Sequence, residues 1–322
     1  MTDGSKNLNN LNETMLFHDG IDVTRIAKTI FANIKFFSVQ FSLLTVLVVI
    51  YAISLPNIYT SKAILSESNN FGAPSQNLSS GSGLSTLTSL AGLSLGEVSL
   101  KTNEAIQTLK SYGFFLKLIN NHEIFDPIMA STGWDSSTNN LVYNDFYDPK
   151  ERKWKKNKAN NSSYRPTNQE AYEYFRQIFG VTQDIDTGFV VLSFKHYSPH
   201  VSKRVIDSVI QVINEEFRKD KIKQAERSLD YLKPQFQESE VSEVRVMVAT
   251  LIQEQIKNIM LAESSPEYLF KVIDSPYASE FKSEPKRSVI CIIGAIICLV
   301  ISLISTFIYA QFFKGKSLNL LG

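Results

Sequence analysis

The stretch SEPKRSVICIIGAIICLVISLISTFIYAQFFKGK, residues 283–316, decides how the chain is organised. Within it, residues 288–313 form a run of 26 residues without a charge, between Lys286 and Arg287 on one side and Lys314 on the other. A helix needs about 20 apolar residues to cross a hydrocarbon core of about 30 Å, and soluble core helices rarely last so long without a charge. The run therefore predicts a transmembrane helix over residues 288–313.

A second uncharged run, FFSVQFSLLTVLVVIYAISL, covers residues 36–55 and follows Lys35. It begins too late and is too long for a signal peptide, and it lacks a small-residue cleavage site, so we interpret it as a first transmembrane helix. Basic residues precede this span and follow the other, which predicts that residues 1–35 and 314–322 are cytoplasmic. Residues 56–287 are then expected outside the cytoplasm, because long domains are translocated largely regardless of their charge.

The composition excludes several classes of function. The chain has 33 basic and 32 acidic residues and a net charge of +1, whereas a nucleic-acid-binding protein usually carries a strong basic excess. Cys291 and Cys298 both fall in the second predicted span, on one helix face. Since the domain between the spans has no cysteine, we predict no disulfide there, and we also predict no metal site and no cofactor.

Strand patterns lie next to both spans, and helical patterns lie between them. Residues 57–68 and 268–274 are predicted to be strands leaving and returning to the membrane, and residues 187–196 are a third strand rich in β-branched and aromatic residues. Apolar residues at helical spacing predict a helix over residues 199–232, which Pro234 would break or kink. The pattern predicts an α+β membrane protein in which a small, membrane-proximal mixed sheet carries long helices.

A second long helix is predicted over residues 238–262, because apolar residues again recur at helical spacing. Its apolar stripe consists of Val244, Val248, Leu251, Ile252 and Ile256. The first helix would be about 50 Å long, more than a compact domain needs, so the two helices are expected to form a protruding hairpin. We expect the stripe to be buried against the other helix or a neighbouring subunit.

No set of residues has the pattern of an active site. His196 and His200 are four residues apart, as in some metal sites, but the predicted helix begins between them, so they are expected to be surface histidines. Glu238, Glu240 and Glu243 cluster at the predicted bend of the hairpin, where no pocket would surround them. We predict no catalytic residue and interpret the chain as a non-enzyme.

Two stretches allow more than one interpretation. KERKWKKNK, residues 150–158, carries six basic residues. It could hold an anionic glycan or a lipid headgroup, but a solvated loop is the more ordinary interpretation of such a run. SLAGLSLG, residues 89–96, follows a Gly/Ser-rich loop and could be a short buried helix or a lid that packs against a neighbour.

Several blocks, in order along the chain, resemble the Wzz-type chain length determinants, the polysaccharide co-polymerases that set O-antigen chain length in Gram-negative bacteria. SLAGLSLG is similar to the family's glycine-leucine segment, and TLKSYGFFLKLI to a family helix. The most specific block is EYLFKVIDSPYASEFKSEPKR, residues 267–287, which resembles the proline-rich motif before the second span. Ser275 and Ser279 stand where prolines are usual, whereas Pro276 lies one place along and Pro285 is kept.

The resemblance implies a non-catalytic regulator in the bacterial inner membrane, with a periplasmic main domain. It also implies a homo-oligomeric ring of about eight subunits, with the O-antigen polymerase and the lipid-linked or growing polysaccharide as partners. Gly294 lies inside the second span, where a small residue permits close helix approach. Glycine is also common in lipid-facing helices, so simple tolerance of a glycine is the alternative interpretation. The residues singled out around the second span are Pro276, Pro285, Lys286, Arg287 and Gly294.

Two alternatives stay open at this point. One is a related inner-membrane component that serves an ATP-binding-cassette transporter in capsule export. The other is a membrane sensor whose outer domain binds a ligand. A sensor usually needs a cytoplasmic output domain, and the segments of 35 and nine residues expected in the cytoplasm are too short to form one.

Overall fold

The structure is a computed structural model that describes residues 33–68, 102–120, 122–156, 162–309 and 312. The chain divides into two compact units: a helix-pair unit of residues 1–55 and 285–322, and a large unit of residues 56–284. The predictions for the glycine-leucine segment and for the tail after the second span fall outside the described residues. So does most of the segment before the first span.

The helix-pair unit contains α1 (Ile34–Ser54) and α7 (Arg287–Tyr309). The described helices of the large unit are a helical segment at residues 102–109, α2 (Tyr112–Ile119), α3 (His122–Ala130), α4 (Asn168–Ile178), α5 (Pro199–Glu238) and α6 (Ser242–Ser264). Its described strands are β1 (Tyr59–Glu67), β2 (Ser131–Asp135), β3 (Asn140–Tyr143), β4 (Tyr147–Asp148), β5 (Lys153–Trp154), β6 (Phe179–Gln183), β7 (Val190–His196) and β8 (Phe270–Asp274).

The central sheet of the large unit has the strand order β6-β7-β1-β8. Each neighbouring pair is antiparallel, with Tyr59 opposite His196 at one end of the β1–β7 pairing and Leu65 opposite Val190 at the other. The prediction of a mixed sheet is therefore wrong for the described strands. The chain path explains the difference. A short turn around Gly188, whose φ is 73°, joins β6 to β7, and such a turn can connect only antiparallel strands.

One face of this sheet carries the core of the large unit. Buried and half-buried residues alternate along β7, as the period of two in a strand requires, and Leu192 and Phe194 are fully buried. The first half of α5 packs on the sheet through Val205, Ile206 and Ile213, which are buried as well. Each large side chain buried in this way contributes about 2 kcal/mol, so the interface between α5 and the sheet adds several kcal/mol to the stability of the unit.

Two polar side chains of α5 fix the helix on the sheet. The fully buried Ser202 hydroxyl donates to a β7 carbonyl at 2.5 Å and accepts from the Ser61 amide at 2.9 Å. Farther along the helix, Asn214 Oδ1 accepts from the amides of Leu269 and Phe270 at 2.8 and 2.9 Å. Its Nδ2 donates to the Phe270 carbonyl at 3.1 Å. Because these buried groups are satisfied only in this position, Ser202 and Asn214 specify where α5 lies along the sheet.

His196 is buried, so the prediction that it lies at the surface is wrong. Only 4% of it is exposed. Its Nδ1 accepts from the Ser198 amide at 3.0 Å, and its Nε2 lies 2.9 Å from Ser131 Oγ and 3.1 Å from the Pro127 carbonyl. Burial lowers the pKa of His196 to about 4, and a proton on Nδ1 would displace the amide hydrogen bond. The histidine occupies the same inward register of β7 as the apolar core residues, whereas His200 is exposed.

The long helices α5 and α6 pack against each other as a hairpin, but their ends differ from the prediction. Helix α5 continues past Pro234 to Glu238, and α6 covers Ser242–Ser264 instead of 238–262. A proline inside a helix removes one hydrogen bond and costs about 3 kcal/mol. Here Pro234 and the Asp230 carbonyl that loses its partner belong to exposed residues, so water can satisfy that carbonyl. Packing against α6 offsets the remaining cost.

Candidate functional site

Helices α1 and α7 are antiparallel and contact each other along their whole length. The rings of Phe36 and Tyr309 stack with their centroids 4.4 Å apart. The Ser302 hydroxyl donates to the Phe37 carbonyl at 3.3 Å. Because the start of α1 meets the end of α7, the chain enters and leaves the helix pair at the same end.

Arg287 caps the other end of the pair. Its Nη2 donates to the carbonyls of Ile53 and Leu55, at 3.3 and 3.2 Å. These carbonyls lie where α1 ends, so no further turn of the helix supplies amides for them. A cation is unfavourable at the N-terminus of its own helix, α7, but favourable at the C-terminus of α1, where the helix dipole is negative. Sequence reasoning treated Arg287 as a motif residue and a topology signal, and it missed this cap.

Gly294, the eighth residue of α7, sets the distance between the two helices where it faces Val48. A Cβ at this position would overlap one methyl group of Val48 and would lie 3.2 Å from the other. Any side chain here must therefore push α1 and α7 apart or force Val48 to move. The absence of a side chain lets the two backbones approach, as small residues do between membrane helices.

The outer surface of the pair is apolar and exposed. Leu47 and Ile296 expose more than half of their side chains, whereas the small residues Cys298, Ser302 and Thr306 are buried between the helices. A core helix of a soluble protein would bury its large side chains, not its small ones. Both helices are also long and apolar enough to cross a membrane. The pair fits two transmembrane helices whose large side chains face lipid.

In the large unit, the segment before α7 is fastened to the strand that follows α1. Pro276 is buried, and the carbonyl of the next residue accepts from the Ser61 hydroxyl at 2.9 Å. Farther along, the Ile58 amide donates to the Glu284 carbonyl, and the Ser283 amide donates to the Ile58 carbonyl, both at 2.9 Å. The stretches of chain that lead to the two helices are thus paired with each other.

The predicted residues around the second span do not fall in one unit. Pro276 belongs to the large unit, whereas Pro285, Lys286, Arg287 and Gly294 belong to the helix-pair unit. The Pro285 carbonyl accepts from the Arg287 amide at 2.9 Å, and Lys286 is exposed where α7 begins. Among the four in the helix-pair unit, Arg287 and Gly294 make direct contacts with α1.

The five residues of the predicted stripe on α6 are unequally buried. Val248 is buried and Ile252 is half-buried, whereas Val244, Leu251 and Ile256 expose 44%, 40% and 46% of their surface. Helix α5 therefore covers one edge of the stripe and leaves the rest open. That a neighbouring subunit covers the remainder stays a prediction.

A buried group formed by an acid and two aromatic residues was missed in the sequence. The Asp126 carboxylate accepts from the Trp154 indole at 2.9 Å and from the Tyr147 hydroxyl at 3.2 Å. Burial and the charge of Asp126 raise the pKa of Tyr147 to about 12. These contacts attach the described part of the basic stretch, residues 150–156, to α3. The one signal in the sequence was a tryptophan in the middle of a run of charged residues, where solvation alone gives no reason for it.

The candidate acid–base and metal-binding residues are not brought together. Among the described residues, no three His, Cys, Asp or Glu side chains are grouped closely enough to hold a metal ion. His200 lies beside the ring of Trp134, and Glu238, Glu240 and Glu243 are all exposed around the bend between α5 and α6. An exposed bend offers none of the enclosure that tunes a carboxylate for proton transfer.

A family model matches the first part of the chain, and two solved structures are similar to the chain at low sequence identity. The family model described as Wzz, chain length determinant protein, matches residues 19–122, which confirms the resemblance to the Wzz-type family. No curated protein sequence matches the chain. One similar solved structure is a full-length bacterial polysaccharide co-polymerase, 11% identical, with a TM-score of 0.37 over 92% of this chain and 99% of that chain. Another is a fragment of WzzB, a polysaccharide co-polymerase from Salmonella Typhimurium, 13% identical, with a TM-score of 0.28 over 71% of this chain and 100% of that chain.

Proposed function

We propose that this chain regulates the length of the O-antigen of lipopolysaccharide, as a non-catalytic scaffold that acts on the O-antigen polymerase. The observation that carries the proposal is the match of residues 19–122 to the chain length determinant family. The match supports regulation of polysaccharide chain length in general. The two apolar helices support a location in the bacterial inner membrane.

The proposed orientation has both chain ends in the cytoplasm and the large unit in the periplasm. The antiparallel pairing of α1 and α7 supports ends on one side, and Arg25, Lys28 and Lys35 before the first span support the cytoplasmic side. Alkaline phosphatase fused after Asn160 should be active, and the same enzyme fused after Gly322 should be inactive. The reverse pattern excludes this orientation.

A scaffold that catalyses no reaction can alter the polymerase only by binding one conformation of the polymerase more tightly than another. We expect such contacts to come from a homo-oligomer, in which the uncovered residues of the α6 stripe pack between neighbouring arms. The family resemblance implies about eight subunits, and a ring of that size would have closed cyclic symmetry. In this scheme the growing polysaccharide is a partner of the assembly, and no side chain acts as acid, base or nucleophile.

Deletion of the gene, followed by silver-stained gels of lipopolysaccharide, tests the proposal. The preferred O-antigen length should disappear, and the wild-type gene should restore it. Genes carrying His200→Ala, Glu240→Ala or Glu243→Ala should restore it as well, since none of these side chains has a chemical role. An unchanged O-antigen ladder in the deletion strain excludes the proposal. A loss of surface capsule with an unchanged ladder would indicate the export pathway instead.

A further inference from the structure

Two aromatic side chains before α7 are exposed, although the backbone that carries them is held in place. Phe281 exposes 82% of its surface and Tyr277 exposes 55%. The Ser279 hydroxyl donates to the Phe281 carbonyl at 2.7 Å, and the Ser283 amide donates to the Ile58 carbonyl two residues later. The rings are therefore presented outward by a segment with fixed hydrogen bonds.

The covalent chain keeps Phe281 near the membrane, whatever the arrangement of the two units. Arg287, the first residue of α7, is the sixth residue after Phe281, and a fully extended chain spans at most about 21 Å over that distance. The bond from Ser283 to Ile58 supplies a second limit, because Ile58 lies four residues past Ser54, the last residue of α1. Both routes limit how far Phe281 can lie from the end of a span.

We infer that Tyr277 and Phe281 form an aromatic anchor that lies in the headgroup region of the phospholipid bilayer, on the side of the large unit. Aromatic side chains are common in that region, where the Phe281 ring would meet the acyl chains and the Tyr277 hydroxyl would meet water. Lys282 and Lys286 are exposed in the same segment and carry the charge that lipid phosphates attract. Glu284, an acid of this segment, is neutralised by Lys195 at 2.6 Å.

The anchor requires that α1 and α7 span the membrane, but it does not require a role in chain-length regulation. Its consequence is mechanical. A ring held in the headgroups adds a membrane contact to those that the two spans make. The proposed partner of the two rings is a lipid surface. The alternative, which the experiment below also tests, is that a second copy of the chain covers them.

Spin labels on the full chain in phospholipid nanodiscs test the anchor. In a background with Cys291→Ala and Cys298→Ala, nitroxides are attached at Phe281→Cys, at Ile185→Cys in the β6–β7 turn, which is 97% exposed, and at Ile296→Cys on the apolar face of α7. Nanodiscs of phosphatidylethanolamine and phosphatidylglycerol are used. Power saturation then compares collisions with oxygen, which concentrates in lipid, and with a nickel chelate, which stays in water.

The label at Phe281 should have an oxygen-to-nickel accessibility ratio several-fold above that at Ile185 and below that at Ile296. A ratio equal to that at Ile185 means that the ring faces water and overturns the anchor. Low accessibility to both reagents means that protein covers the ring, which also overturns it. If the label at Ile296 shows no lipid exposure, α7 does not span the membrane, and the proposed anchor is then rejected as well. Should Phe281→Cys not fold, as judged by its melting curve, Tyr277→Cys takes its place with the same expected result.

Discussion

In the sheet layer, which comprises the central sheet and residues 199–214 of α5, one chain completes its own core. In the arm, which comprises the rest of α5 together with α6, it does not. Nine of the eleven buried residues of α5 lie between Pro199 and Asn214. Helix α6 is 23 residues long, yet it buries only Val248 and Ala262. Helix α5 thus begins as a core element and continues as a surface element, and we expect a neighbouring subunit to cover the arm.

The two regions also differ in how their polar groups are used. The sheet layer places Ser202 and Asn214 in buried hydrogen bonds that fix the position of α5. The arm instead carries exposed ion pairs, such as Lys219 with Glu215 at 3.0 Å, which are worth little because water screens them. Changes in the sheet layer should therefore alter the free energy of unfolding, and changes in the arm should alter assembly.

The largest effect is expected for Asn214→Leu. The substitution keeps the approximate volume but leaves two amides and one carbonyl buried without partners, at about 1–3 kcal/mol each. The free energy of unfolding should fall by about 4 kcal/mol. Urea unfolding of the full chain in detergent, followed by the fluorescence of Trp134 and Trp154, measures it. Gln253→Leu on the exposed face of α6 is the matched control and should change stability by less than about 0.5 kcal/mol. Equal effects of the two variants would remove the distinction between the regions.

The next effect is the pH dependence caused by His196. The pKa of His196 is about 4 in the folded chain and about 6.5 in the unfolded chain, so this side chain is neutral in both states above pH 6.5. As the pH falls from 6.5 to 4, only the unfolded chain takes up this proton. The folded state then loses about 1.4 kcal/mol per pH unit, or about 3 kcal/mol in total.

Unfolding curves at several pH values in this window test the sign and size of the effect. His196→Gln should reduce the slope of stability against pH by about one proton, whatever its effect at pH 7. Gln253→Leu, which replaces a residue without a titratable side chain on the exposed face of α6, should keep the wild-type slope. If the two variants behave alike, the buried histidine is not the group that titrates.

A smaller effect is expected in the helix pair. Gly294→Leu should force α1 and α7 apart, because even a Cβ overlaps Val48, and overpacking of this kind typically costs about 1–3 kcal/mol. We predict that the preferred O-antigen length shifts or disappears, while the large unit keeps its fold. Val48→Ala should partly rescue Gly294→Ala by making room for the new methyl group. Ile293→Leu, on the exposed face of α7, is the control. A wild-type ladder for Gly294→Leu at equal expression contradicts the prediction.

The smallest effect on the unfolding of one chain is expected for Leu251→Asp in the arm, because 40% of this side chain is already exposed. Burial of the new charge against a neighbouring subunit would be unfavourable, so the assembly should dissociate. Sedimentation in detergent measures the size, and Gln253→Asp on the same helix serves as the control. Unchanged sedimentation of Leu251→Asp would show that the stripe is not an interface between subunits.

The features that the sequence predicted well depend on long, local patterns. The two apolar runs needed only a count of uncharged residues, and α1 and α7 fall within them almost completely. Strand β7 followed from a run of β-branched and aromatic residues, and α5 begins at Pro199, where proline suits the first turn. Each of these signals lies within the element that it predicts.

The features that were missed depend on contacts between distant residues. Burial of His196 requires α3 to lie against the end of β7, and no local pattern reveals that contact. The Arg287 cap requires α7 to run antiparallel to α1. Helix α5 passes Pro234 because α6 packs beside it, so a local preference was overridden by tertiary structure. The sequence pointed to a set of residues around the second span, but it could not predict which contacts those residues make.

The cap on α1 also has a consequence for the order of biosynthesis. Arg287 lies 232 residues after Leu55, so at about 5–20 residues per second it leaves the ribosome roughly 10–50 s later. During that interval the last carbonyls of α1 lack this partner and must be satisfied by water or by other groups. Only a chain that has been made through its second span can close the bond. A truncated product therefore keeps an open helix end at the membrane surface, which a quality-control protease could distinguish from the finished protein.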